Sequence, residues 1–177
     1  MGVLPEPRRN LLMRHILVAA IGLVLAAPVL RAQQVELDRT LERVYDSVVT
    51  TSDVRQVRLL KLIEGAADTD AAAQTTVENR LLIKHELSRA PVPEPAADRV
   101  AEKREAWRKT WLESTDIPAM LARAGMSTQA LDGWFRDELK IEAFLAGRYP
   151  QTADPKRAER IANWINDLRR RANLSAK

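Results

Sequence analysis

A chain of 177 residues that is 46% hydrophobic and 29% charged has the length and apolar content of one globular domain. It has no cysteine, which excludes disulfides, thiolate metal sites and thiol nucleophiles, and its two histidines, His15 and His85, are too few for most zinc sites. Of the net charge of +4, Arg8, Arg9, Arg14 and Arg31 against Glu6 account for +3, so the chain beyond residue 32 is close to neutral and lacks the basic excess that nucleic-acid binding requires.

Residues 1–32 have the grammar of a secretory signal peptide. "PRRNLLMR" supplies a basic start, and Ile16 to Leu30 is a continuous apolar run. A spanning helix needs about 20 apolar residues, and this run is shorter. Cleavage is expected after Ala32, although Leu30 is larger than the small residue usual three positions before a cut. Export to the periplasm follows, with no stable membrane insertion once the signal is gone. An uncleaved signal anchoring the protein to the inner membrane is the second option. Residues 33–177 then form a single helical domain.

From Glu36 to Val44 the pattern fits two structures. Leu37, Leu41, Val44 and Val48 make a helical stripe, whereas the valine-rich run also suits a short strand. Ser52 or Asp53 caps a first helix carrying Val54, Val57 and Leu60, with Leu59, Leu62 and Ile63 nearby and Gly65 to close it. A second helix runs from about Asp70 to Arg89, with Val77, Leu81, Leu82 and Ile83 inward. The stretch "APVPEPAAD", residues 90–98, cannot continue it and reads as a linker. Asp98 caps a third helix with Val100, Trp107 and Trp111 on one face.

Asp116, Pro118 and Gly125 bracket a short helical turn, by the usual cap, early proline and glycine stop. Ser127 or Thr128 opens a long helix to Tyr149, with Leu131, Trp134, Phe135 and Leu139 on one side. Asp154 and Pro155 start the last helix, whose stripe is Ile161, Trp164, Ile165, Leu168 and Ala172. The fold class is therefore all-α, with about five helices. A short N-terminal strand, where it forms, is expected to pair or pack with the C-terminal tail, Ala172 to Ser175.

Little in this chain reads as chemistry. His85, with Glu78 and Glu86 nearby, is a boundary histidine rather than a general base, since no partner nucleophile stands at a recognisable spacing. Asp137 and Glu138 are adjacent on a helix and point about 100° apart, so they do not converge. They and the pair Asp68 and Asp70 are expected on solvated faces, as is the cluster Arg169, Arg170 and Arg171 at a helix C-terminus. No catalytic residue, metal ligand or cofactor is expected. Trp134 and Trp164 belong to complete stripes and read as core. Trp107 and Trp111 share a helix with Arg104 and Arg108, which leaves a thin apolar face, and Met120 and Met126 flank a bend. Those four residues, Trp107, Trp111, Met120 and Met126, are the candidates for contact with a polypeptide.

Read in order, four segments resemble the SurA-like periplasmic chaperones. "LDRTLERVYDSVVTTSDV", Leu37 to Val54, is similar to the family's opening motif at Asp38, Arg39, Leu41, Val44, Asp46, Val48, Val49, Thr50, Ser52, Asp53 and Val54. "TTVENRLLIKHEL", Thr75 to Leu87, resembles the helix that follows. Met120 to Tyr149 resembles the next block, at Gly125, Leu131, Phe135, Leu139, Ile141 and Leu145. Ala158 to Ser175 is similar to the family's terminal helix, which packs back on the N-terminal part. Departures are Glu42 and Arg43 in place of small apolar strand residues, and Tyr45 in place of asparagine.

A larger departure lies at Pro150 to Asp154. Family members commonly insert parvulin-type prolyl isomerase domains here, and five residues cannot hold one. The resemblance thus implies a SurA-like core without the catalytic module: a non-enzymatic, ATP-independent periplasmic chaperone that binds unfolded or extended envelope polypeptides, outer-membrane proteins among them. The alternative is a non-catalytic adaptor that docks on one envelope protein. Neither the client nor the oligomeric state can be read from the residues.

Overall fold

A hairpin opens the described part of the chain, which in this computed structural model comprises residues 38–63, 69–150 and 155–174. The signal segment, Gly65, Asp68, Asp154 and Ser175 fall outside it. Strand β1 (Thr40–Val44) pairs antiparallel with β2 (Ser47–Thr50), Val44 lying opposite Ser47 and Arg43 opposite Val48. Between them Tyr45 has φ 52, a left-handed backbone that costs a bulky residue on the order of 1 kcal/mol. Its ring stacks on His85 with centroids 3.9 Å apart, which offsets that strain and fastens the hairpin tip.

The open choice between strand and helix is thus decided for strand over Thr40–Val44. Glu42 and Arg43 are accommodated because the ribbon buries only Val44 and Val49, leaving the other side to solvent. Among the described residues the ribbon does not pair with the C-terminal tail. A two-residue turn closes a local ladder with far less lost chain entropy than a pairing across more than a hundred residues. The tail contributes Leu174 instead, buried in the same cluster as Val44 and Val49.

Six helices follow among the described residues: α1 (Thr51–Leu59), α2 (Asp70–Leu87), α3 (Ala97–Arg108), α4 (Ile117–Ala124), α5 (Thr128–Arg148) and α6 (Arg157–Arg171). The cap of α1 is Thr50 rather than Ser52 or Asp53; its Oγ1 accepts from Asp53 N, while the Asp53 carboxylate accepts from Thr50 N at 2.8 Å. Asp38 closes the start from the other side, accepting from Ser52 N at 2.9 Å and from the Thr51 hydroxyl at 2.8 Å. Thr69, Asp116 and Ser127 cap α2, α4 and α5 by the same chemistry. Ala96 and Lys156, which precede α3 and α6, give no side-chain cap; Asp98 sits inside the first turn of α3.

Three helix ends share one device. After α1, α4 and α6 the chain turns left-handed at Lys61, Gly125 and Asn173. The next amide then donates to a carbonyl five residues back: Leu62 to Val57, Met126 to Leu121, Leu174 to Arg169. In each case the residue after the turn is a buried apolar side chain, Leu62, Met126 or Leu174, as expected for this type of helix closure. Lys61 therefore ends α1 before Gly65 is reached. Trp111 lies beyond the end of α3.

Helix α2 is the hub, packing against both strands, α1, α5 and α6. The strands, α1, α2, the C-terminal half of α5 and α6 share one apolar cluster around Val49, Leu82, Ile141 and Leu168. Leu60 and Leu62, with α3, α4 and the N-terminal half of α5, share a second, around Trp107, Leu121, Leu131 and Phe135.

Inside the first cluster sits an ion pair. Arg169 Nη2 donates to Glu78 Oε2 at 2.9 Å and Arg169 Nη1 to Asn79 Oδ1 at 3.0 Å, with the Glu78 side chain 1% and the Arg169 side chain 8% exposed. Arg169 is thus part of the core, contrary to the solvated helix end expected for it; only Arg170 and Arg171 fit that description, paired with Asp167. Asp137 and Glu138 are also not free solvated acids. They pair with Lys84 and Arg80 and tie α5 to α2, and Asp70 pairs with Arg58 of α1.

Removing one member of a buried ion pair strands the other charge, so Glu78→Ala should lower the unfolding free energy by about 3 to 5 kcal/mol in a urea titration, and Glu78→Met with Arg169→Met should recover most of it. A second expectation concerns acid. The Ser52 amide foremost, and the hydroxyls of Thr51, Thr50 and Ser52, hold the Asp38 carboxyl below the ordinary aspartate range, against a smaller cost of desolvation. A lowered folded value contributes stability above the unfolded pKa that is lost as pH falls through the folded one. The gap in urea midpoint between the native chain and Asp38→Asn should therefore be largest near neutrality and close in strong acid.

Candidate functional site

Helices α3, α4 and α5 do not fill the space between them. A cleft of about 410 Å³ opens there, floored by Trp107, Leu121, Met126 and Leu131 and edged by Ile117, Pro118 and Ala122 on one side and Arg104, Glu105 and Arg108 on the other. Its shape follows from local signals. Asp116 and Pro118 start α4, Gly125 stops it in the left-handed region with φ 65, and Ser127 starts α5 two residues later. That sharp corner turns Met126 under the helix pair, where it is buried.

The rim is charged but compensated. Arg104 Nη1 donates to both carboxylate oxygens of Asp132 at 2.7 and 2.8 Å, and Arg108 donates to Glu105 at 2.8 and 2.9 Å. The bond from Arg108 holds the Glu105 carboxyl below the usual glutamate range, and the same bond raises the Arg108 guanidinium. An apolar floor with a neutralised rim suits a neutral, apolar segment better than an ion.

The four candidate contact residues separate in space. Trp107 and Met126 line the cleft. Trp107 is nonetheless a core residue, its Nε1 donating to the Leu60 carbonyl at 2.7 Å and its ring meeting those of Trp111 and Phe135. Met120 is buried in the same cluster without reaching the cleft. Trp111 lies half-buried past the end of α3, with Lys61 Nζ 4.8 Å from its ring centroid. Sequence reasoning missed Leu121 and Leu131 as lining because a complete stripe reads as core, whatever void borders it. The one available signal was α3 itself, too charged to cover an apolar floor fully.

A second recess of about 320 Å³ lies between β2, α1, α2 and α5. Val48, Leu81 and Trp134 supply its apolar side, and Asp53, Arg80, Lys84 and Asp137 its polar side. Its charges are engaged: Arg80 with Glu138, Lys84 with Asp137, Asp53 in the cap of α1. Arg80 also donates to the Trp134 carbonyl at 2.8 Å and lies over the Trp134 ring. Burial lowers its pKa, opposed chiefly by Glu138. Among the described residues no group of three or more His, Asp or Glu is placed to hold a metal ion, and no helix is long and apolar enough to cross a membrane. His85 stands against Tyr45, away from both clefts.

Trp107→Phe keeps an aromatic side chain but leaves the buried Leu60 carbonyl without its indole donor, which should cost about 1 to 3 kcal/mol by urea unfolding. Leu60→Ala, by contrast, leaves the bond intact and should cost about 2 to 5 kcal/mol through the cavity it makes. No protein-family model matches the chain, and no curated protein or solved structure does so either.

Proposed function

We propose that the chain is the exported, non-enzymatic core of a SurA-like chaperone, which holds unfolded or extended envelope polypeptides in the periplasm without ATP and without a cofactor. The observation that carries this reading is the cleft between α3, α4 and α5: its floor is apolar, its charged rim is neutralised, and an apolar side chain of an extended segment fits there. The resemblance of the opening motif supports it further. Asp38, Thr50, Ser52 and Asp53 are positions of that resemblance, and all four take part in the hydrogen bonds that close the hairpin onto α1. Binding would be differential. Exposed apolar side chains of an unfolded client gain from the cleft, and the folded client has none to offer.

A second reading has its own observation. The seams between α2, α3 and α5 are closed by the pairs Arg80 with Glu138, Lys84 with Asp137, Lys103 with Glu142 and Arg104 with Asp132. A surface closed in this way favours an adaptor that docks on one envelope protein over a general client binder.

One experiment separates them. Residues 33–177, added at near-stoichiometric amounts, should suppress aggregation of several unrelated unfolded outer-membrane proteins diluted from urea, as read by light scattering. Leu121→Asp in the floor of the cleft should abolish that suppression. No suppression of any client would reject the chaperone reading, and stable capture of one folded envelope protein in its place would establish the adaptor.

A further inference from the structure

Helix α3 is thinly secured by apolar packing. Seven of its twelve residues are charged, Asp98, Arg99, Glu102, Lys103, Arg104, Glu105 and Arg108, and only Val100 and Trp107 are buried. Its N-terminus has no side-chain cap. Twelve residues are marginal for an isolated helix in water, so α3 depends on what holds it down. Beyond the apolar contacts of Val100 and Trp107, what holds it is electrostatic. Lys103 pairs with Glu142 and Arg104 with Asp132, both across to α5 and both with partly exposed side chains. The strap before it, Pro91 to Ala96, runs along α5, where Glu94 meets Arg136 at 3.5 Å and also pairs with Lys140.

One void borders the helix and another its strap. The 410 Å³ cleft lies along the C-terminal half of α3, and a second cavity of about 370 Å³ separates Pro91, Val92 and Pro93 of the strap from Phe144 and Gly147 of α5. At the far end, Trp111 Nε1 is enclosed without an acceptor among the described residues. Beneath α3 the picture reverses. Leu121, Met126, Leu131 and Phe135 are all under 10% exposed, and they form a continuous apolar floor on α4 and α5 that α3 covers with two side chains. Helix α2 gives up far more when it lifts: it carries six buried side chains and the Glu78 to Arg169 pair.

We propose that α3 with its proline strap is a lid, which opens locally by breaking its ion pairs with α5 and uncovers an apolar trough along Leu121, Met126, Leu131 and Phe135 that takes an extended apolar polypeptide segment. The polypeptide class rests on the function proposed above, and the lid does not. In the closed state only the cleft gives access to the trough, and the rest of it, Phe135 included, is covered. Prolines keep the strap extended on opening, so α3 swings out on a stiff arm. The Trp107 indole donating to the Leu60 carbonyl is the one buried hydrogen bond that the swing breaks, and water replaces both partners once the trough is open.

Hydrogen exchange of the full chain tests the lid without any client. Amides of Lys103 to Arg108 should exchange at least about tenfold faster than the core amides of α2, by local opening. Raising the salt from about 0.1 to about 1 M, which shortens the screening length from about 10 to about 3 Å, should speed α3 further while leaving α2 and α6 unchanged. Lys103→Gln with Arg104→Gln should do the same at low salt by about five- to tenfold. Equal protection of α3 and α2 in the native chain, insensitive to salt, would overturn the lid.

The absence of native cysteines allows a second arm. Lys103→Cys with Glu142→Cys, joined by a short bismaleimide, should lose suppression of outer-membrane protein aggregation that the unjoined pair retains. Undiminished suppression by the joined form would overturn the trough as the client surface. Failure of every form, the native chain included, would reject the functional reading alone, because the exchange result still decides the lid.

Discussion

A carboxylate and a guanidinium in the middle of the protein set the terms for everything around them. Glu78 and Arg169 are separated by 91 positions and sit almost wholly out of water. A buried pair of this kind adds little net stability over apolar side chains of the same size, but it is expensive to misalign. Each charge is satisfied only when α6 lies on α2 in one register. That register in turn places Leu168 and Trp164 beside Val77 and Leu82, and lets Leu174 close over the hairpin. The pair fixes which arrangement of helices is adopted, and the apolar cluster supplies most of the energy.

Stiffness and looseness are distributed accordingly. The hairpin, α1, α2 and α6 are joined by caps, by the Tyr45 stack on His85 and by the buried pair, with apolar contact throughout. Helix α5 belongs to both clusters and carries the connection to α3 and α4. Beside the apolar contacts of Val100 and Trp107, charge secures α3 and its strap there: Lys103, Arg104 and Glu94 reach α5 through partly solvated pairs, and a cavity borders each. For a protein proposed to hold unfolded chains this division is useful. A rigid body keeps its own fold while a weakly held helix gives apolar surface to the client on demand.

The helices were legible where their punctuation is local. Asp116 with Pro118, Gly125 and Ser127 announce α4 and the start of α5, and the structure follows them residue for residue. The stop of α1 was not legible. Gly65 was the obvious terminator, yet Lys61 takes the left-handed turn because Leu62 then falls into the core, and a buried side chain outweighs glycine's backbone advantage. Tertiary pairing hid the rest. Nothing about Arg169 distinguishes it from Arg170 and Arg171 until α6 is laid on α2. Glu78 follows directly on Val77 and lies four residues before Leu82, so an acid on an inward stripe was the available sign. Likewise the charges on α3 leave Trp107 undecided between core and contact surface, whereas the Leu60 carbonyl draws its indole inside.

Site-specific photocrosslinking reports most directly on whether the surface beside α3 is where a client sits. Ala122 is exposed and lines the cleft; Ala162 is exposed on α6, outside it. With a photoreactive residue at one position or the other, and an unfolded outer-membrane protein present during illumination, crosslinks are predicted from position 122 and not from position 162. Equal yields from both positions, or a yield from 162 alone, would contradict the account.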